Sequence, residues 1–208
     1  MSQDFFLKYI IVGNTSVGKS AILHRFIKND FKSDTIATVG VDYKARNINV
    51  EDKSIGLMIW DTAGMEAYRS FTQAYYRSSA VAIFVYDITK KETFTAIPGW
   101  IQLIRQNCPD NPHLVTVIVG NKSDLEQQRA VDSTEGDKMA KEHKSLFFEA
   151  SAVTGDNIDE IFEKAAQQCF EKYKDGDIDI TNDTFGFLLG PRQLEICSTG
   201  GETSGCSC

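Results

Sequence analysis

An α/β three-layer sandwich is the fold this sequence predicts, with a six-stranded, mostly parallel sheet, one antiparallel strand and five helices. Two observations carry that expectation. From residue 5 to about 173, apolar β-rich runs alternate with segments of helical period in the order β-α-β-β-α-β-α-β-α-β-α. Such alternation builds a parallel sheet covered on both faces. In addition, the glycine-bounded loop Gly13-Asn14-Thr15-Ser16-Val17-Gly18-Lys19-Ser20 follows directly on the first apolar run.

The elements follow in order. Phe5–Val12 is the first strand, and Ala21–Lys28 continues the helix that the loop opens. Val41–Val50 and Ser54–Trp60 are strand-like runs separated by Glu51-Asp52-Lys53, a connection short enough for an antiparallel hairpin. Ala80–Tyr86 and Leu114–Val119 are apolar without alternation, as parallel strands buried on both faces are. Leu146–Phe148 is a shorter run, and helical patterns cover Glu92–Gln106, Ser133–His143 and Asn157–Lys172. Pro98 and Gly99 weaken the first turns of the Glu92 pattern. Ligands of such sheets sit at the C-terminal strand ends, where the loop lies.

That loop carries chemistry, because strand, glycine-bounded turn and helix start are the parts of a P-loop NTPase. Gly13 turns the chain sharply out of the strand, and Gly18 lets backbone approach a phosphate. The N–H groups of Ser16, Val17, Gly18, Lys19, Ser20 and Ala21 converge where the helix dipole favours anions. Lys19 reaches the β/γ oxygens as a point charge, and the Ser20 hydroxyl is a Mg²⁺ ligand. Trp60-Asp61-Thr62-Ala63-Gly64 ends the third strand. There Asp61 holds Mg²⁺ through water, and Gly64 offers a backbone N–H to the γ-phosphate. After the Leu114–Val119 strand comes Asn121-Lys122-Ser123-Asp124. Asp124 accepts from guanine's ring N–H and amino group, a donor pair adenine lacks, which makes the site selective for GTP. The stem of Lys122 lies on the base plane while Asn121 braces neighbouring loops. In Glu149-Ala150-Ser151-Ala152, the Ala152 N–H is placed to meet the guanine carbonyl. Phe31 is positioned to stack on the base. Thr38 supplies a hydroxyl to Mg²⁺ and an N–H to the γ-phosphate, so its loop orders with GTP and releases with GDP.

Together these motifs resemble the small GTPases of the Ras superfamily, over about residues 5–173. Flanking segments resemble the Rab family more narrowly: Val39-Gly40-Val41-Asp42-Tyr43, Leu57-Met58-Ile59-Trp60, Tyr68-Arg69-Ser70-Phe71-Thr72, Tyr75-Tyr76-Arg77-Ser78-Ser79 and Phe84-Val85-Tyr86-Asp87-Ile88-Thr89. The resemblance implies a monomeric switch in vesicle trafficking that binds GTP/GDP and Mg²⁺. It further implies an exchange factor, an activating protein, effectors, a prenylation escort and a dissociation inhibitor as partners. Tyr43, Trp60 and Tyr75 would form the aromatic effector patch, although Trp60 and Tyr75 are also read as core-filling rings.

Three positions depart from the family pattern. Met65 stands where a glutamine usually orients the attacking water, and a thioether cannot do that. Slow intrinsic hydrolysis is expected, on the order of tenfold to a thousandfold below the family's. Family activators supply both an arginine and a glutamine in trans, so turnover with a partner is expected to survive. Thr15 and Ser16 occupy positions where Ras carries glycines; hydroxylated residues there are common in Rabs. Val153 replaces the lysine usual after Ser-Ala and leaves the backbone donor intact.

The bulk numbers bound the reading. The chain has 208 residues, 42% of them hydrophobic, and a net charge of −7. That balance disfavours a nucleic-acid surface. Neither a membrane-spanning run nor the basic start of a signal peptide is present, so a cytosolic protein is expected. Five cysteines and three scattered histidines (His24, His113, His143) form neither a disulfide framework nor a zinc set. Residues 1–173 are expected to be the GTPase domain and 174–208 a flexible tail. From Lys174 onward two basic residues face six acidic ones, so attraction to anionic lipid cannot direct the tail. Its apolar island, Phe185-Gly186-Phe187-Leu188-Leu189, is read either as a dock for the escort or extraction factor or as a linker. The ending Cys206-Ser207-Cys208 resembles the C-x-C of Rabs, which carries two geranylgeranyl groups. Two chains suit stable anchoring at about 0.8 kcal/mol per buried CH₂. The anchored membrane is expected to be the cytoplasmic face of an endomembrane. Two other classes remain: a GTP-locked effector platform, favoured by Met65, and an ATP-using P-loop enzyme, opposed by Asp124.

Overall fold

The structure, a computed structural model, describes residues 3–31, 41–62, 75–180 and 183–191. In chain order these form β1 (Phe5–Val12), α1 (Lys19–Lys28), β2 (Val41–Val50), β3 (Lys53–Thr62), β4 (Val81–Asp87), α2 (Lys91–Thr95) and α3 (Ile97–Asn107). Then come β5 (Val115–Asn121), a 3₁₀ turn (Ser123–Gln128), α4 (Ser133–His143), β6 (Leu146–Ala150), α5 (Ile158–Lys174), a second 3₁₀ turn (Asp183–Phe185) and β7 (Phe187–Leu189). The strand order is β2-β3-β1-β4-β5-β6, with β7 also paired to β1. Within the main path only β2 and β3 are antiparallel, a hairpin whose turn places Glu51 at a positive φ.

Side-chain period explains the two layers of core. Along β1, Phe5, Leu7, Tyr9 and Ile11 face a cluster shared with Ile22, Leu23 and Phe26 of α1 and Ile161, Phe162 and Phe170 of α5. Ile10 and Val12 face the opposite cluster with Trp100, Ile101 and Ile104 of α3. A strand with apolar residues on both pleat faces belongs in the middle of a covered sheet. β4 and β5 are buried at every position, as their unbroken apolar runs require. β2, at the edge, buries only Ile48 and Val50.

Three sequence expectations change. The helix expected over Glu92–Gln106 is two helices, α2 and α3, because Pro98 fits only in a first turn and so begins the second. The sheet has seven strands rather than six. The segment after Tyr173, expected to be flexible throughout, folds back: Ile178 is buried and Phe187 fully so. β4 joins β1 only from Tyr9 onward, which leaves Phe5–Leu7 with an open side that β7 fills. The Lys8 N–H donates to the Gly186 carbonyl (2.9 Å) and the Gly190 N–H to the Asp4 carbonyl (2.7 Å). The Phe187 ring lies 5.3 Å from both Phe5 and Tyr173. Burying such a ring contributes about 1.5–3 kcal/mol. The apolar island is therefore core of this domain and not a linker.

Candidate nucleotide and metal site

The loop after β1 lies at the C-terminal end of the parallel strands, bounded by Gly13 (φ 146°) and Gly18 (φ 97°). A side chain at Gly13 would strike the Val85 carbonyl, and one at Gly18 the Asn121 amide. Gly18 is thus fixed by backbone conformation and by a neighbouring loop. The space for phosphate inferred from sequence was only part of its reason. Ser16 also takes a positive φ (64°) and is exposed. Gly18 caps α1 with no side-chain hydrogen bond, and no acidic residue stands in the first turn. The N–H groups that begin a helix otherwise need an acceptor, and the dipole there selects an anionic one.

Lys19 is only 6% exposed. Its ammonium donates to the carbonyls of Gly13 and Asn14, each at 2.9 Å. The Ser20 hydroxyl donates to Asp61 Oδ2 at the end of β3. One hydroxyl and one carboxylate are hard oxygen donors that fit Mg²⁺. Among the described residues no cluster of three His, Cys, Asp or Glu could hold a metal. A cation at Ser20 and Asp61 would therefore complete its shell with phosphate oxygens and water. Val17 is buried and Ala21 packs partly against the core. Thr38, Gly64 and Met65 lie outside the described residues, as do Cys206 and Cys208.

The residues expected to meet the base come together from the ends of β5 and β6. Asn121, expected in a loop, is the last residue of β5. Its Nδ2 donates to the Val17 carbonyl (2.8 Å), and its Oδ1 accepts a long bond from the Ala152 N–H (3.4 Å). It therefore joins the phosphate loop to the 151–154 loop, the bracing expected of it. Lys122 has a left-handed backbone, and its ammonium pairs with Asp87 Oδ2 at 2.6 Å. Asp124 is exposed, and its Oδ1 accepts from the Ser151 hydroxyl (2.6 Å). Ser151 Oγ in turn accepts the N–H groups of Val153 and Thr154, both at 3.1 Å. Val153 itself is exposed. Phe31 is half-buried and packs on the core edge near α1.

Three residues of this site escaped the sequence reading. Asp87 is fully buried at the end of β4. Burial pushes its carboxyl up, but hydrogen bonds from Lys122 and Thr89 outweigh that and hold it below the usual carboxylate range. A charged residue ending an all-apolar strand at the ligand end of the sheet was the available signal. Arg25 of α1 donates through Nε to the Ala152 carbonyl (2.9 Å) and through Nη2 to that of Val153, pinning the base loop. Arg129 pairs with Glu126 after the Lys122 turn and with Glu149 of β6. Arg25 has no sequence signal, since it acts through contacts distant along the chain, and the Arg129–Glu126 spacing does not by itself point to Glu149.

Two residues of the aromatic trio are in ring contact. Tyr43 and Trp60 sit directly opposite each other on β2 and β3, with ring centroids 4.9 Å apart and edge-on. Tyr43 is 49% exposed, and Trp60 is half-buried under the Lys8 ammonium. Tyr75 is 42% exposed, and no ring contact joins it to the other two among the described residues. Cys108 and Cys169 are buried free thiols whose burial raises their pKa, that of Cys169 to about 12, so neither is a nucleophile here.

This arrangement can hold a polyphosphate at one helix start and a flat base between two braced loops. A family model described as the Ras family matches residues 8–171, which spans β1 through most of α5. With the phosphate loop, the Ser20–Asp61 pair and the base loops occupying one end of the sheet, the chain belongs to the Ras family of small GTPases.

Proposed function

We propose that this GTPase is a Rab-type switch of vesicle-mediated trafficking. It would exchange partners with its nucleotide state and reach the cytoplasmic face of an endomembrane through lipids on Cys206 and Cys208. The observation that carries the reading is the Tyr43–Trp60 pair, an aromatic surface on the β2–β3 hairpin. Exposed aromatic rings are unfavourable in water and favoured in protein recognition. No helix among the described residues is long and apolar enough to cross a membrane, so lipid would supply the anchor. The acidic tail offers no electrostatic substitute.

In this reading Lys19 and the first N–H groups of α1 hold the β- and γ-phosphates in place, and Ser20 and Asp61 hold Mg²⁺, which neutralises phosphate charge. Asp124 and the Ala152 N–H select guanine. The chain supplies positioning and electrostatics, with no covalent intermediate. Met65 contributes neither donor nor strong acceptor to an attacking water, so intrinsic hydrolysis is slow. Single-turnover hydrolysis of GTP tests this. Met65→Gln is expected to speed the reaction by about tenfold or more, and an unchanged rate would overturn the role given to Met65. The second reading, a GTP-locked platform, rests on the same residue. Addition of a Rab-activating protein separates the two: restored turnover supports the switch, and continued silence supports the platform. Mass spectrometry of native protein with bare thiols at both terminal cysteines would remove the membrane anchor from the proposal.

A further inference from the structure

We infer that Trp100 is a positioning residue for the bound nucleotide, acting from α3 through the side chain of Asn14. The inference rests on the guanine-nucleotide reading of the site. Trp100 lies on α3, outside every segment that touches phosphate, metal or base. Its ring is buried beneath the sheet with Ile97, Ile101 and Ile104, so it is held by rigid packing. A buried indole N–H needs an acceptor. Here Nε1 donates to Asn14 Oδ1 at 2.8 Å, across 86 residues of sequence.

Asn14 is the second residue of the phosphate loop, and its own carbonyl accepts from the Lys19 ammonium at 2.9 Å. One residue therefore carries a tether to α3 on its side chain and the phosphate-binding lysine on its backbone. The loop around it is strained at Ser16, a non-glycine residue with a φ of 64° between Gly13 and Gly18. A strained loop keeps one geometry only when its surroundings over-determine it. The indole supplies a fixed point for that loop on the α3 side, as the Asn121 amide does at Val17 on the β5 side. Loss of the tether frees the Asn14 peptide to turn, and with it one of the two carbonyls that aim Lys19.

Dissociation of a fluorescent GDP analogue, measured with Mg²⁺ on the full-length protein, tests the inference. Trp100→Phe keeps most of the ring and removes the donor. Asn14→Ala removes the acceptor from a loop position outside the core, so folding is spared. Each is expected to speed release by about threefold to tenfold, the worth of one hydrogen bond. The double variant should release no faster than the faster single one, because both break the same link. Parent-like release in Asn14→Ala, or independent, multiplying effects in the double variant, would overturn the tether and leave Trp100 a core residue. Failure of the parent protein itself to bind the analogue would instead overturn the guanine-nucleotide reading.

Discussion

Two helix starts in this molecule solve the same problem in opposite ways. α4 begins at Asp132, whose carboxylate accepts the Thr134 N–H (2.8 Å), while Glu135 reaches back to the Asp132 N–H (3.1 Å). That capping box satisfies its first donors within the chain. α1 begins at a left-handed glycine with no side-chain cap and no acidic first turn. Both helices pack on the sheet, and both have basic residues in the last turn. The difference is that α4 is finished by its own sequence, whereas α1 is left for an external anion. A helix start without a cap reads as a site only when other groups converge on it, and Lys19, Ser20 and Asp61 do so here.

The largest effect expected from that contrast comes from Lys19. Replacing it with alanine removes the only side-chain cation the sequence places in the phosphate loop. GDP affinity should fall by about a hundredfold or more, as measured by calorimetry. Loss below threefold would mean that the α1 start does not hold phosphate. A smaller but more selective effect is expected at the other end of the site. Asp124→Asn turns one acceptor oxygen into a donor, which opposes the guanine N–H groups. The preference for guanosine over adenosine nucleotide should drop by about tenfold to a hundredfold. Because Ser151 donates to Asp124, Ser151→Ala is expected to give a weaker loss in the same direction. Unchanged competition curves in both variants would remove Asp124 from base recognition.

Much of this arrangement was legible because it is local in sequence. The glycine loop, the hairpin and the buried strands β4 and β5 each announce themselves within ten residues, through turn chemistry and period. The bracing role of Asn121 could be read for the same reason, from its place at the end of a buried strand. What stayed hidden depends on distance along the chain. Arg25 meets Ala152 across 127 residues, and Trp100 meets Asn14 across 86. β7 was hidden differently: three apolar residues in an acidic, glycine-bearing stretch carry no period, and only the unpaired start of β1 gives them a place.

At α4 the expected effect is on stability alone. Asp132→Ala removes the cap and should lower the melting temperature by about 2–4 °C with nucleotide affinity unchanged. The hydrogen bonds from Thr134 hold the Asp132 carboxyl below its usual range, and the Lys91 pair does the same for Glu135. A depressed folded-state pKa stabilises above the ordinary carboxylate value and is lost as pH falls through the folded one. The difference between parent and variant should therefore be full at pH 7 and shrink below about pH 4. A melting difference that is flat from pH 7 to pH 3 would show that the cap charge contributes nothing. Any change in GDP release would break the separation between a helix start that binds and one that only folds.

The smallest effect is expected under α4, at a polar atom that serves neither purpose. The buried Tyr86 hydroxyl has no hydrogen-bond partner among the described residues, in a niche that exists because Gly120 and Gly136 lack side chains. Burial raises its pKa well above the ordinary tyrosine value. Removing an unsatisfied hydroxyl while keeping the ring relieves a desolvation cost, so Tyr86→Phe should be neutral or stabilising by up to about 1 kcal/mol. The sign with pH follows from the raised value: the parent's neutral tyrosine is favoured in the folded state below pH 10, and that contribution is lost as pH rises through the folded pKa. The phenylalanine variant lacks this loss, so its advantage should widen above about pH 10 in denaturant titrations. Destabilisation by more than about 1 kcal/mol at pH 7 would mean that the hydroxyl has a partner, such as an ordered water, and belongs to the group of satisfied polar atoms that Asp132 represents.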